Sequence, residues 1–262
     1  MDIRLDGKVA LITGGSRGLG LAIAEKMAAS GASVAITSRS EEKLAEAKTR
    51  IGAGSPAQKV CAIGCDVTQP GTLRDLVHKV VGELGRIDIL VNNAGSSVRG
   101  KFLELTDEQW QADLDLKLMA AIRLSRLVIP EMQSRKWGRI INVVSIGGKA
   151  PPGASAPTTV TRAAGIALTK VLANEFAADN ILVNALCVGW IESDQWARFH
   201  RRDAPDRTLE EFLRMKGKAG VPLGRLGRAE EFASMACFLA SDAGSYITGT
   251  AINVDGGRSP VV

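Results

Sequence analysis

Residues 13–20, Thr-Gly-Gly-Ser-Arg-Gly-Leu-Gly, decide the fold of this chain. They follow an apolar run, Val9–Ile12, and precede an amphipathic run from Leu21 to Ala29. A buried strand, a tight glycine turn and a helix in this order begin a βαβ unit, because glycine lets the backbone turn sharply and approach a ligand with no Cβ in the way. The N–H groups and the positive dipole end of such a helix bind phosphate. The stretch therefore predicts a dinucleotide-binding fold.

The rest of the chain alternates between strands and helices in the same way. Further strands are predicted at Ser33–Ser38, Lys59–Cys65, Asp88–Val91, Ile140–Val144, Ile181–Leu186 and Thr250–Val254, with helices at Glu41–Ile51, Gly71–Leu84, Thr106–Gln133, Pro157–Ala177 and Ala229–Leu239. Helices that each lead into a strand imply right-handed crossovers and a parallel sheet. We expect a Rossmann-type, doubly wound α/β sheet of about seven strands with helices on both faces, as one domain over residues 1–262.

Composition narrows the class of protein further. A chain of 262 residues that is 45% hydrophobic can bury the core of one such domain, and its net charge of +5 suits an anionic ligand without indicating nucleic acid. The cysteines show no Cys-x-x-Cys spacing and the two histidines are far apart, which favours buried thiols and argues against a metal site. The charged start and the lack of a long apolar run predict no signal peptide, no membrane span and a cytoplasmic location.

The glycine spacing, Thr-Gly-x-x-x-Gly-x-Gly, resembles that of the short-chain dehydrogenase/reductase superfamily, and in particular its 3-oxoacyl-[acyl-carrier-protein] reductase-like members. The tetrad Asn92-Asn93-Ala94-Gly95 is similar to the second motif of that family, in which asparagines join neighbouring strands and small residues pass beneath the cofactor. The resemblance extends over essentially the whole chain, including the tail 245–249. It implies an NAD(P)-dependent oxidoreductase acting on a carbonyl or alcohol.

The resemblance also implies a set of cofactor contacts. Asp66 and Val67 would contact the adenine ring, and the run 188–193 matches the family's turn beside the nicotinamide, with Val188 in place of a proline. The predicted cofactor-binding residues are Gly14, Ser16, Arg17, Gly18, Leu19, Gly20, Ser38, Arg39, Asp66, Val67, Asn93, Ala94, Gly95, Arg162, Gly189, Ile191 and Ser193.

The end of the second predicted strand bears on the choice of cofactor. An acidic residue there would bind the 2′-hydroxyl of NAD, whereas this chain has Ser38 and Arg39, with Arg17 in the glycine loop. Two guanidinium groups suit a 2′-phosphate, so NADP(H) is favoured over NAD(H). Alternatively, both arginines are solvated and either cofactor binds.

The catalytic positions of the family are mostly replaced. Family members use a serine, a Tyr-x-x-x-Lys pair and an asparagine, and these align with Ser145, with Thr158 and Arg162, and with Lys117. A threonine hydroxyl is a far weaker acid than a tyrosine phenol, and arginine holds its charge too firmly to relay protons. Only the serine is retained, so the standard mechanism is not available. The predicted catalytic residues are Ser145, Lys117, Thr158 and Arg162.

Lys117 has two interpretations. If it faces the active site it stands close to Arg162, and two adjacent cations in a desolvated cleft lower the pKa of a lysine enough to make it an acid or a nucleophile. Otherwise it points to solvent, or pairs with Asp113 or Asp115.

Cys187 and the basic run 196–202 each have both a structural and a functional interpretation. Cys187 is a small core residue or a catalytic thiol, with the core role favoured. The basic run 196–202 lies in a variable segment, about 190–225, that closes over the substrate in the resembled family. It is a solvated basic helix, or a lid that selects an anionic or thioester-linked substrate.

Three functions remain open from the sequence. The favoured one is an NADP(H)-dependent oxidoreductase with a non-standard proton donor. The others are a non-redox lyase, isomerase or hydrolase-like enzyme that uses Lys117 or Ser145, and a catalytically silent NADP(H)-binding subunit. Apolar positions run around much of the helix 163–172, which together with the resemblance predicts a homotetramer or homodimer.

Overall fold

The computed structural model describes residues 3–262. Its strands are β1 (Val9–Thr13), β2 (Ser33–Ser38), β3 (Val60–Gly64), β4 (Ile89–Asn92), β5 (Arg99–Gly100), β6 (Gly138–Ser145), β7 (Ala156–Pro157), β8 (Ile181–Val188) and β9 (Ala251–Val254). Its α-helices are α1 (Gly18–Ala29), α2 (Glu41–Gly54), α3 (Pro70–Leu84), α4 (Asp107–Leu114), α5 (Ala120–Ser134), α6 (Thr158–Phe176), α7 (Asp194–Asp203), α8 (Leu209–Gly220) and α9 (Ala229–Ala240).

Seven strands form one parallel sheet in the order β3-β2-β1-β4-β6-β8-β9. The predicted Rossmann-type α/β fold is therefore confirmed. The strand order reverses between β1 and β4, and in such sheets ligands bind at the carboxyl ends of the strands beside this point. The remaining two strands, β5 and β7, form a short antiparallel ladder of two residue pairs.

The core lies on both faces of the sheet because successive residues of a strand point to opposite sides. Ile12 of β1 packs in a cluster with Ile23 of α1 and Phe232 of α9. The neighbouring Leu11 packs on the other face, in a cluster with Leu76 of α3 and Leu124 of α5. This double layer of helices fixes the carboxyl edge of the sheet, where the candidate site lies.

The predicted long helix between the fourth and fifth main strands is interrupted. The capping box at its start is confirmed, since the Thr106 hydroxyl accepts from the Gln109 N–H while the Gln109 side chain accepts from the Thr106 N–H. A π-helical turn, Asp115–Met119, then separates α4 from α5, and Lys117 lies within it. Such turns occur often at functional sites, because they re-aim the side chains they carry.

No helix within residues 3–262 is both long enough and apolar enough to cross a membrane.

Candidate active site

The glycine loop joins β1 to α1 as the sequence predicts. Gly14 and Gly18 have φ values of +64° and +55°, in the left-handed region that glycine adopts without strain. A Cβ at Gly20 would lie 2.2 Å from the carbonyl oxygen of Gly14, so helix and loop can approach this closely only with glycine there. The loop is thus a tight cradle at the end of β1.

The start of α1 is open to an anion. Arg17 occupies the N-cap position without a side-chain capping hydrogen bond, and the first turn of α1 carries no acidic residue. The first N–H groups of a helix need an acceptor from outside the helix. A pyrophosphate at this position would supply acceptors for them, so the residues present fit a dinucleotide.

Asn93 and Thr13 connect the loop to the end of β4. The Asn93 amide donates to the carbonyl oxygens of Thr13 (2.9 Å) and Gly14 (3.2 Å). The Thr13 hydroxyl in turn accepts from the backbone N–H groups of Asn93 and Ala94, both at 2.9 Å. These bonds hold the predicted cofactor residues of the two motifs together at the point where the strand order reverses.

The groups predicted to select the cofactor lie beside this cradle. Ser38 ends β2, and Arg39 is exposed with no ion pair to any residue of 3–262. The exposed Arg17 pairs with Asp194 at 3.2 Å. Asp66 accepts from the backbone and the hydroxyl of Thr68, which fixes its carboxylate at the end of β3.

The far side of the edge is formed by the turn after β8. A Cβ at Gly189 would lie 2.4 Å from the Cβ of Asp255, so only glycine fits between β8 and the turn after β9. Ile191 is buried and forms a β-bridge with Gly227, and Ser193 is the N-cap residue of α7. The Arg17–Asp194 pair then connects the first turn of α7 to the glycine loop.

Lys117 is paired with Asp113, as one of its two interpretations predicts, and it lines the same small cavity as Arg162. Its side chain is 1% exposed, forms an ion pair with Asp113, and donates to the Thr158 hydroxyl at 3.0 Å. Its pKa falls from the ordinary 10.5 to about 8, chiefly because burial penalises the charged form. The positive charge of Arg162 also lowers this pKa, whereas the hydrogen bond and charge of Asp113 oppose the shift.

The Thr158 hydroxyl is fully occupied. It accepts from the Val98 N–H (3.0 Å) and from Lys117, and it donates to the Val98 carbonyl oxygen at 2.7 Å. A hydroxyl has one donor and two acceptor positions, so these contacts use its whole capacity. Thr158 therefore holds Lys117 in place, with Val98 on its other side.

Arg162 lies beneath the second motif. Its guanidinium donates to the Val143 carbonyl oxygen, and a Cβ at Gly95 would lie 2.7 Å from its Nη2 atom. Desolvation lowers the pKa of Arg162 to about 10, and the charge of Asp113 opposes that shift. The side chain is thus a buried cation directly under the predicted cofactor path.

A small cavity lies against both Lys117 and Arg162. Asn92 and Asn142 also line it. The Asn92 amide donates to Asn142 at 2.8 Å, which joins β4 to β6 as the second motif predicts.

Ser145 ends β6 at the same edge, opposite Val188 of β8 in the strand register. Its hydroxyl is buried, and nothing in residues 3–262 hydrogen-bonds to it. A buried hydroxyl without a partner costs free energy, so this oxygen is suited to an incoming hydrogen-bonding group.

The remaining candidates take structural positions. Burial raises the pKa of the Cys187 thiol to about 11, and all four cysteines are buried and free. In α7, Trp196 packs with Phe212 and Leu226, while Arg202 pairs with Asp203 on the surface. Within 3–262, no three His, Cys, Asp or Glu residues group as metal ligands.

Sequence reasoning missed two of these partners and undervalued a third. In the sequence Thr13 is simply the first residue of the glycine loop, and Val98 acts through its backbone, which side-chain types do not show. The sequence offers Asp113 only as one partner of a Lys117 without a catalytic role, although the i, i+4 spacing places the two side chains on one helix face.

The chain has a Rossmann-type fold, a glycine loop that fits a dinucleotide, and two buried cations, Lys117 and Arg162, at the carboxyl edge of its sheet. A family model described as "Enoyl-(Acyl carrier protein) reductase" matches residues 14–259. The chain belongs to the short-chain dehydrogenase/reductase family of oxidoreductases.

Individual relatives are similar over nearly their full length. The chain is 37% identical to the 3-oxoacyl-[acyl-carrier-protein] reductase FabG of Escherichia coli K12, over 97% of this chain and 98% of that one. L-sorbose reductase of Gluconobacter frateurii, solved with NADPH and L-sorbose, superposes with a TM-score of 0.95 at 35% identity and 100% coverage of both chains. An NADPH-bound short-chain oxidoreductase of Pseudomonas aeruginosa PAO1 "containing an atypical catalytic center" gives 0.92 at 34% identity, covering 99% of each chain.

Proposed function

We propose that this protein is an NADP(H)-dependent reductase or dehydrogenase of carbonyl and alcohol compounds, in which Lys117 replaces the family's tyrosine as the source of the proton. The observation that carries the proposal is the buried ammonium, with a pKa of about 8, hydrogen-bonded to the hydroxyl at the tyrosine position. A general acid works best when its pKa lies near the working pH.

The cofactor assignment is supported by the cradle and by the relatives. The open start of α1 fits a pyrophosphate, and two of the similar structures hold NADPH. Arg39 and Arg17 would contact the 2′-phosphate, with Arg17 first leaving Asp194. A nicotinamide cofactor bound there would supply the hydride.

The chain's own residues would then carry the rest of the reaction. The unpartnered Ser145 hydroxyl would donate to the carbonyl oxygen, and Arg162 would contact the ribose beneath Gly95. Asp113 is a positioning residue, because it holds the ammonium in place and raises its pKa against the effect of burial.

The proton has two possible routes, since Lys117 is enclosed behind Thr158 and Val98. It passes through the Thr158 hydroxyl, or segment 98–100 moves aside when substrate binds. Thr158→Ala separates the routes. If the proton passes through the Thr158 hydroxyl, this variant loses as much kcat as Lys117→Met. If segment 98–100 moves aside instead, the loss of kcat is much smaller.

The segment 190–225 is proposed to close over the substrate as part of the same single domain. Its first helix, α7, is held to the glycine loop by Arg17 and Asp194, and the bridge of Ile191 with Gly227 joins the start of the segment to the turn before α9. Binding of the cofactor at Arg17 would release the first of these contacts.

The protein is further proposed to be a homotetramer or homodimer. Helix α6 buries mainly threonines, whereas Val160 and Val171 are 50% and 59% exposed. Aliphatic side chains left outside on a long helix are typical of an interface.

A second function is favoured by the same enclosure of Lys117 and Thr158. A catalytically silent subunit would bind NADP(H) without offering any group to a substrate. The deciding experiment measures NADPH oxidation against ketones and 3-oxoacyl thioesters, beside calorimetric titration of NADPH. Turnover with any member supports the reductase, while tight NADPH binding with no turnover across the panel supports the silent subunit.

A further inference from the structure

The C-terminal end of α8 meets an arginine from the far end of the chain. Gly220 is the last residue of α8, and its carbonyl oxygen accepts from the guanidinium of Arg258, which lies just after β9. The last carbonyl groups of a helix have no partner within the helix, and a cation at that end is favoured by the helix dipole. Arg258 therefore caps α8 from outside the segment 190–225.

The same guanidinium lies on the face of an aromatic ring. Its carbon is 3.5 Å from the centre of the Trp190 ring. A Cβ at Gly220 would lie 2.4 Å from Cζ3 of Trp190 and 2.8 Å from Nη1 of Arg258, so the helix end, the ring and the guanidinium meet at one point. A guanidinium that stacks on a ring and donates through its edge has a fixed plane. Each of the three groups therefore fixes the other two.

The turn after β9 is tied on both sides. The carboxylate of Asp255 accepts from the backbone N–H groups of Gly257 (3.0 Å) and Ser259 (2.6 Å). The carbonyl oxygen of Gly256 accepts from the N–H of Leu223 at 3.2 Å. The arginine in this turn is therefore held from the edge of the main sheet.

The Trp190 ring passes this restraint into the segment 190–225. Its centre is 5.0 Å from that of Trp196 of α7, in an edge-to-face contact, and the Trp196 ring lies 6.4 Å from that of Phe212 of α8. Aromatic pairs at such distances are favourable. The backbone of Trp190 is separately bonded to Gly227 at 2.9 Å, so the stacked arginine adds the orientation of the ring.

A second side-chain contact between the segment and the site is weaker. Arg17 and Asp194 are 3.2 Å apart, but their side chains are 58% and 69% exposed. An exposed ion pair contributes little to stability, and the cofactor is proposed to break this one. With Arg17 engaged by the cofactor, Arg258 still holds the segment.

We propose that Arg258 is a positioning residue, which keeps the end of α8 and the Trp190 ring in one arrangement and so sets the position of segment 190–225 from the C-terminal turn. Because Trp190 directly follows Gly189, a ring that is free to move would also disturb the turn predicted to contact the nicotinamide. The effect on the substrate rests on the proposed reductase function, whereas the order of the segment does not.

The test measures hydrogen–deuterium exchange of α8 in the full-length protein without ligand. Arg258→Gln removes the charge and the stacked guanidinium, and should speed amide exchange in α8 by about ten- to a hundredfold. Trp190→Leu should do the same, whereas Trp190→Phe keeps a ring face and should stay within about threefold of the wild type. Arg74→Gln, at an exposed position of α3, is the matched control and should change nothing.

Two comparisons make the outcome decisive. Asp194→Asn, which breaks only the exposed pair, should change exchange in α8 by less than about threefold. The double variant Trp190→Leu, Arg258→Gln should exchange no faster than either single variant, because the two side chains act as one unit. Unchanged exchange in Arg258→Gln, an equal effect of Asp194→Asn, or an equal rise in α1 and α8 would overturn the inference.

Turnover connects the order of the segment to the reaction. With a ketone that the wild type reduces, Arg258→Gln should raise KM by about tenfold and leave kcat within about threefold, because it weakens the cover over the bound substrate without removing a reacting group. An unchanged KM beside faster exchange in α8 would overturn the positioning role. If the wild type reduces no ketone, the reductase function fails, and the exchange measurement still decides whether Arg258 holds the segment.

Discussion

Replacing the buried pair Asp113 and Lys117 together by Leu and Met should stabilise the protein. Both side chains are 1% exposed, and the second oxygen of Asp113 has no hydrogen-bond partner among residues 3–262. The fall in the pKa of Lys117 from 10.5 to about 8 means that folding disfavours its charged form by roughly 3 kcal/mol. Apolar residues of similar size in place of a buried ion pair are typically neutral or stabilising by about 1–4 kcal/mol.

The single variant should behave in the opposite way. Lys117→Met leaves the Asp113 carboxyl buried without its partner, which typically costs about 3–5 kcal/mol, less whatever Asp113 recovers by taking up a proton. A destabilised single variant beside a stable double variant would show that the pair is coupled.

The advantage of the double variant should also depend on pH in a defined direction. Below about pH 8 Lys117 is charged in both the folded and the unfolded chain, so folding carries the full free-energy cost of burying the charged ammonium. Between about 8 and 10.5 the folded chain releases the proton while the unfolded chain keeps it, and the wild type gains stability with rising pH. The double variant lacks this group, so its advantage should shrink across that window.

The assay is urea unfolding followed by circular dichroism at about pH 7 and about pH 9.5, with equal protein concentrations. The matched control replaces the exposed pair Lys101 and Glu104, 3.3 Å apart, by Met and Leu, and should change stability by less than about 1 kcal/mol. A double variant that is less stable than wild type by more than about 2 kcal/mol would refute the reasoning, because the ion pair would then stabilise the folded protein more than apolar residues do.

Three other expectations can be checked directly. If Lys117 supplies the proton, kcat for ketone reduction is level below about pH 8 and falls about tenfold per pH unit above it, whereas a level rate up to about pH 10 contradicts this role. Arg39→Glu should weaken NADPH binding by about ten- to a hundredfold in calorimetry, because the new carboxylate repels the 2′-phosphate. Arg74→Glu is the control, and an affinity of Arg39→Glu for NADPH equal to that of the wild type would show that Arg39 does not contact the cofactor. Val171→Glu, on the exposed apolar face of α6, should dissociate the oligomer in light scattering, and a wild type of 27.7 kDa would show that none forms.

The parts of the fold that follow local rules could be predicted from the sequence. The bounds of β2 are the same in the prediction and in the structure, because a β-branched, apolar run between turn residues has few alternatives. The glycine loop is equally well specified, since Gly20 meets the Gly14 carbonyl so closely that no other residue fits.

The geometry around Lys117 could not be predicted in the same way. A π-helical turn inserts one residue into a helix, and a hydrophobic pattern over 106–133 is too coarse to show it. The sequence alone therefore leaves Lys117 either paired with an acid or facing Arg162, and in the structure it pairs with Asp113 while lining the same small cavity as Arg162. The contacts of Thr158 with Val98 use backbone atoms, which every residue carries, so no residue type marks them.

The most direct test of Lys117 as the proton source is the turnover of Lys117→Met with a ketone that the wild type reduces, measured beside its affinity for NADPH. We expect kcat to fall by about 10²–10⁴ while the Kd for NADPH changes by no more than about twofold, which also shows that the variant is folded. The double variant with Asp113→Leu should be equally inactive, and Lys101→Met should behave as the wild type. Full turnover by Lys117→Met would contradict the role proposed for this lysine.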